Sequence, residues 1–193
     1  MQETQERLLD TAADLFAKQG YAGVSMRDIA RTVGITQAAI YHHFNNKEAL
    51  YVAAVTCLFE KSTLGVSEQM AAISAPNKRL ELLIDTMILA MEKDPRFRLI
   101  YMRELLENDE DKLAAIAESA FTAFYEPLNA LMVELAPDKD SNLLIFSLAG
   151  MIFHHLEARK IAPYLPHTSV GNPDTSSLAR HISDLFLYGV KQQ

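Results

Sequence analysis

Gln37, Tyr41, His42 and His43 fall within one short stretch of this chain, on a segment that Thr36 can open as a helix. Helical spacing turns Ala39 and Ile40 inward and sends this polar set outward. A glutamine amide can pair with adenine through two hydrogen bonds. A tyrosine hydroxyl and two imidazoles can reach phosphate oxygens or base edges. The chemistry on offer is recognition of a nucleic acid, not the making or breaking of bonds.

The elements that must hold this face are legible on either side of it. Ser25 can cap a helix carrying Met26, Ile29, Ala30 and Val33, and Gly34 ends it. Ala30 is small where two helices touch, Gly34 tolerates positive φ, and Ile40 anchors the second helix. Such a helix-turn-helix lays its second helix in a major groove. Asn45 reads as the N-cap of a fourth helix, with Glu48 at N3 as in a capping box. The alternative is a plain helical hairpin inside a core. The outward Gln37, Tyr41, His42 and His43 argue against it.

Residues Leu8 to Leu50 resemble the DNA-binding domain of the TetR family of bacterial regulators. The resemblance rests on Ala12, Leu15 and Phe16, on Gly20-Tyr21, on Val24 to Ala30, on Val33-Gly34-Ile35, and on Ile40 to Phe44 with Lys47 to Leu50. It implies that Ser25 and Arg27 meet a phosphate or groove edge. It further implies that Thr36, Gln37, Ala38, Ala39 and His42 line the recognition surface, and that Tyr41 holds a phosphate. Lys47, with the N–H groups opening the fourth helix, would hold another. Phe44 would plug the core beneath. The implied partner is a palindromic operator duplex, bound by a homodimer that a small-molecule effector releases.

Composition narrows the field without deciding it. Of 193 residues, 49% are apolar and 22% charged, which excludes wholesale disorder. The net charge of −7 disfavours a generic polyanion binder, so contact with DNA must come from a local surface. Charges stand where the apolar stretch of a secretory signal would lie. The run from Ser141 to Phe153 is too short to span a bilayer, for which about 20 residues are needed. One cysteine, Cys57, allows no intrachain disulfide. A cytoplasmic protein without membrane contact is expected.

Helical periodicity continues to the end of the chain, with no sustained alternation of period two. The expected fold is all-α with about nine helices. A DNA-binding domain spans residues 1–46 and a ligand-binding and dimerisation domain spans 47–193. The fourth helix is expected from Lys47 to Ile73, with Leu50, Ala54, Cys57, Leu58 and Leu64 on one face. A kink is expected at Pro127, and a loop over Pro163 to Pro173. Met87, Met91, Phe97, Tyr101, Phe121, Tyr125, Met151 and His155 are either ordinary core or the lining of an apolar ligand pocket. Arg98, Arg103 and Glu104 either orient such a ligand or sit in solvent, and Glu104 to Asp111 reads as a solvated acidic run. The segments around Phe146 and Phe153 are apolar all round their helix and are expected to be buried on every side. With Gly150 and with Leu178, Ile182, Leu185 and Phe186 of the last helix, they would form a four-helix dimer interface.

No glycine-rich phosphate loop, nucleophile elbow or metalloprotease motif is present in the sequence. His154, His155 and Glu157 have no spacing that places three ligands on one ion. No enzyme, metal or cofactor is expected. The competing reading is an all-α ligand-binding or scaffold protein that does not bind DNA.

Overall fold

Three local signals shape the first helices. The computed structural model describes residues 2–107, 109–166 and 174–191, and none of these is in a strand. Helix α1 (Gln2–Gly23) buries Leu8, Ala12, Ala13, Phe16 and Ala17, and Gly20 breaks its helical dihedrals at φ 75° and ψ 168°. Ser25 caps α2 (Met26–Val33) in a capping box with Asp28. Gly34 ends α2 in the left-handed region at φ 80°, its N–H donating to the Ala30 carbonyl at 2.9 Å. Thr36 caps α3 (Gln37–Tyr41), accepting from the Ala39 N–H at 3.1 Å. The amphipathic faces close on one another through Met26, Ile29, Ala30, Val33 and Ile40, all buried.

Helix α4 (Lys47–Thr63) is capped by Asn46, not by the expected Asn45: the Asn46 side chain accepts from the Ala49 N–H at 2.7 Å. Glu48 therefore stands one place too early for a capping box. The chain breaks at Leu64 and Gly65, where Gly65 has φ 74°, before α5 (Val66–Ala71). Leu64, expected on the buried face, is 82% exposed because the helix is interrupted there. By length and composition Lys47–Ala71 would pass as a membrane span, but Leu50, Tyr51, Ala54, Val55, Leu58 and Phe59 are buried inside the protein.

The later elements are α6 (Pro76–Lys93), α7 (Arg96–Glu107), α8 (Glu110–Ile116), α9 (Thr122–Leu135), α10 (Ser141–Ala158) and α11 (Thr175–Lys191). A π turn, Ala117–Phe121, joins α8 to α9, and Pro127 lies inside α9. Counted through the break at Gly65 and through this π turn, the described residues hold nine helices. A 3₁₀ turn, Ala162–Tyr164, overlaps the start of the expected loop, and residues 167–173 of that loop lie outside the described residues.

The chain forms two compact units. The first comprises residues 1–62 and 94–122; the second comprises residues 63–93 and 123–193. In the second unit α11 and α10 both pack on α6, whose Leu80, Leu83, Ile84, Met87, Ile88 and Met91 are buried. In the first, α7 packs on α1. Arg96 pairs with Asp10 at 2.9 Å. Arg103 donates to the Phe16 and Lys18 carbonyls at 3.1 and 3.3 Å, occupying acceptors near the Gly20 break.

The expected acidic run is solvated only in part: Glu107, Asp109, Glu110 and Asp111 are exposed, but Glu104 is buried. Helix α7 carries through to Glu107, and Glu104 is 1% exposed. Its carboxylate accepts from the Tyr51 hydroxyl at 2.5 Å and meets the Lys112 ammonium at 3.0 Å. Lys112, 4% exposed, also reaches Glu107 at 3.2 Å and Asp109 at 3.6 Å. Arg98 is buried as well, and Arg103 is tied to α1, so none of the three expected groups is simply solvated.

Removing one partner of a buried ion pair strands the other, at a cost of about 3–5 kcal/mol. Lys112→Met should therefore lower urea stability by about that amount. The double variant Glu104→Gln/Lys112→Met should recover most of it. Equal losses in the single and double variants would show that the charge is not what matters.

Candidate nucleic-acid interface

The recognition face is assembled from backbone satisfaction outward. Ile40 is fully buried and Phe44 nearly so, which turns the rest of α3 to the surface. Gln37, Ala38, Tyr41, His42 and His43 are exposed, and Ala39 is half-buried. The His42 and His43 rings meet edge to face with centroids 5.5 Å apart. Thr36 is exposed, but its hydroxyl is engaged as the cap of α3. The structure thus brings together Gln37, Ala38, Tyr41 and His42 on one open surface, with Lys47 at the opening of α4.

Ser25 and Arg27 are exposed at the start of α2. The Ser25 hydroxyl accepts from the Asp28 N–H at 3.1 Å and donates to the Asp28 carboxylate, which also takes Arg31 at 2.8 Å. The Ser25 hydrogen bond, assisted by Arg31, holds the Asp28 carboxyl below its ordinary value. Ser25 therefore has a local duty that its place in the motif does not announce. Lys47 is half-buried, its ammonium 4.1 Å from the centroid of the Tyr21 ring. Burial, then the charge of Lys112, lowers its pKa.

The expected pocket residues fall into two groups. In the first unit Phe97, Tyr101 and Phe121 join Phe59 in one aromatic cluster, with neighbouring centroids 4.9–6.2 Å apart. Burial raises the Tyr101 pKa. In the second unit Met87 and Met91 are buried, and Met151 is half-buried. There the Tyr125 hydroxyl donates to Asn142, and His155 lies edge-on to His181.

The expected interface residues also divide. Leu178, Ile182 and Phe186 are buried within their own unit, where α11 packs on α6. Phe146 is 65% exposed, Leu185 53% and Leu143 64%; Gly150 is open and Phe153 half-buried. The expectation that α10 is buried on every side fails within a single chain, because among the described residues the face carrying Leu143 and Phe146 stays open. Among the described residues no group of three His, Cys, Asp or Glu side chains is placed to hold a metal ion.

Residues 8–54, which hold this capped helix-turn-helix and its outward polar face, match the family of bacterial regulatory proteins, tetR family. Over 56 residues the chain is 38% identical to IcaR, the negative transcriptional regulator of the biofilm operon icaADBC in Staphylococcus aureus. That match covers 29% of this chain and 30% of IcaR. Over 54 residues it is 44% identical to the HTH-type regulator YerO of Bacillus subtilis, covering 28% of this chain and 19% of YerO. The chain therefore spans less than a third of the length of these relatives.

The fold extends much further. The fatty acid degradation regulator FadR of Bacillus halodurans superposes with a TM-score of 0.79 at 18% identity, over 97% of this chain and 96% of that one. FadR of Bacillus subtilis, solved with stearoyl-CoA, gives 0.79 at 17% identity, over 96% and 98%.

The Asp28 carboxyl supplies an acid-sensitive contribution to this domain. Its folded pKa lies below the unfolded value, so the contribution is present above the ordinary carboxylate range and lost as pH falls through the folded value. Asp28→Asn should lower the melting temperature at neutral pH. The gap to wild type should narrow as the pH falls below the ordinary carboxylate range. A gap that persists unchanged in acid would refute the role of the charge.

Proposed function

We propose that the chain is a cytoplasmic, homodimeric regulator of transcription. It binds a palindromic operator and, as a repressor, is released by an apolar or amphipathic small molecule. The observation that carries this is the outward set of Gln37, Tyr41 and His42 on a helix-turn-helix whose turns are closed by Ser25, Gly34 and Thr36. Gln37 and His42 read base edges while Tyr41 and Lys47 hold phosphates. Ser25, Arg27, Thr36, Ala38 and Ala39 complete the contact surface. Residues 1–46 carry this role, and residues 47–193 supply ligand binding and dimerisation.

IcaR, a negative regulator, supports repression. The stearoyl-CoA in Bacillus subtilis FadR supports an amphipathic ligand. Met87, Met91, Phe97, Tyr101, Phe121, Tyr125, Met151 and His155 supply apolar surface with a few polar groups, the mixture such a ligand needs. The function asks for no catalysis and no cofactor.

The dimer interface is the open face of α10 with the exposed side of α11: Leu143, Phe146, Gly150 and Phe153 with Leu185. A Cβ added at Gly150 meets nothing within 4 Å, so a second helix can approach there. Leu178, Ile182 and Phe186 back this surface from inside the protomer.

Duplexes selected by the protein from a random pool test the reading. Tyr41→Phe should weaken binding to every selected duplex by about 1 kcal/mol, by removing a phosphate contact. Gln37→Ala should change base preference at one position of each half-site. If both variants bind the wild-type selection as tightly as wild type, the face is misassigned.

Phe146→Arg tests the assembly. A charge left unpaired in the interface costs several kcal/mol. The variant should be monomeric by sedimentation at concentrations where wild type is dimeric, with its helix content intact because Phe146 is not part of the protomer core. A wild-type chain that is monomeric at micromolar concentration would overturn the dimer.

A further inference from the structure

A lysine is almost never fully buried without a paired charge, whereas a half-buried one keeps its head free for other partners. Lys47 is half-buried: among the described residues no acidic group pairs with it, and its ammonium lies 4.1 Å from the centroid of the Tyr21 ring. That ring is itself fixed. Phe16 stacks beside it at 6.1 Å, and Tyr51 meets it edge-on at 5.1 Å. The ammonium of Lys112 lies 4.7 Å from the same centroid.

The two lysines on this ring differ in one respect. Lys112 is surrounded by Glu104, Glu107 and Asp109, and its charge is answered. Among the described residues, Lys47 is met by the ring alone. A carboxylate would hold Lys47 by cancelling its charge. An aromatic face holds an ammonium through the ring quadrupole and leaves the charge whole. Burial and the nearby Lys112 both disfavour the Lys47 cation. It is thus held under an electrostatic load that an arriving anion relieves. The same cation opens a 17-residue helix, whose first N–H groups favour negative charge.

We propose that Tyr21 is a positioning residue for DNA binding: its locked ring holds the unneutralised Lys47 ammonium at the opening of α4, in place for a backbone phosphate. Lys112 ties the ring to α7 and α8, so those helices fix where the phosphate-binding cation stands. The inference rests on the DNA-binding reading above.

The salt dependence of binding separates this role from a merely structural one. Removing one phosphate neutralised by the protein should reduce the slope of log affinity against log salt by about 0.9 per bound chain. Tyr21→Leu should show that reduction, with affinity at low salt down by roughly tenfold. Lys47→Ala should show the same reduction, and the double variant no more than either alone. Tyr21→Phe, which keeps the ring face, should restore the wild-type slope. A wild-type slope in Tyr21→Leu, or losses that sum in the double variant, overturns the proposal.

If wild type selects no duplex at all, the DNA-binding reading itself fails and takes this one with it. Should Tyr21→Leu not fold, the wild-type spectrum decides. The ε-methylene protons of Lys47, identified by their loss in Lys47→Ala, should be shifted upfield by the Tyr21 ring current. Unshifted resonances overturn the proposal.

Discussion

A carboxylate taken out of water has to be met by charge or hydrogen bonds on every side that water has left. In the first unit that requirement falls on Glu104. Tyr51 answers it from α4 and Lys112 from α8, while Glu104 itself belongs to α7. The consecutive helices α7 and α8 and the distant α4 are thereby held at hydrogen-bond distances, a tolerance that apolar packing alone does not impose. Burial and the bond to Glu104 push the Tyr51 hydroxyl well above the ordinary phenol range, so it remains a donor at any physiological pH. Lys112 is subject to opposed effects. Burial favours its neutral form, but its bonds to Glu104 and Glu107 outweigh burial, and its pKa is raised. Tyr21, Phe16 and Tyr51 extend the anchored group as ring contacts into α1. The rings of α1 and α4 are tied to this one charge pair.

The helix-turn-helix itself depends on shorter-range effects. Ser25, Gly34 and Thr36 each act on backbone groups within a few residues, and each is readable in the sequence because its chemistry is local. The cap of α4 is readable in kind but not in place. Asn45 and Asn46 offer the same side chain, and only the path of the backbone decides which one accepts from the Ala49 N–H. Glu104 and Lys112 are not readable, because an acidic run next to a lysine looks the same in solvent as in a core. Beyond their own pairing, their further partners Tyr51 and the Tyr21 ring lie in α4 and α1, and no pattern within α7 or α8 names them. The π turn is equally silent, since its residues differ in no obvious way from those of an α-helix.

Apolar periodicity carries a different ambiguity. It marks side chains that leave water but not what covers them. In α11, Leu178, Ile182 and Phe186 are covered by their own unit. In α10 the same kind of pattern leaves Leu143 and Phe146 open, while Ile145, Leu148 and Ile152 are covered. The all-round apolar character of α10 thus combines two faces with different fates. A helix serving only its own core would have been polar at 143 and 146.

The π turn at Ala117–Phe121 also bears on how this chain can tolerate change in length. A π turn is an α-helix that has taken in one extra residue, and one residue subtends about 100° of helix. The turn sets the phase at which Phe121 leaves α8, and that phase brings its ring to Phe59, Phe97 and Tyr101. Deleting a single residue between 117 and 120 would relax the helix to regular winding while swinging Phe121 away from all three. The segment would become more regular in its backbone and give up its aromatic packing. One-residue deletions here should be selected against even though they remove an irregularity.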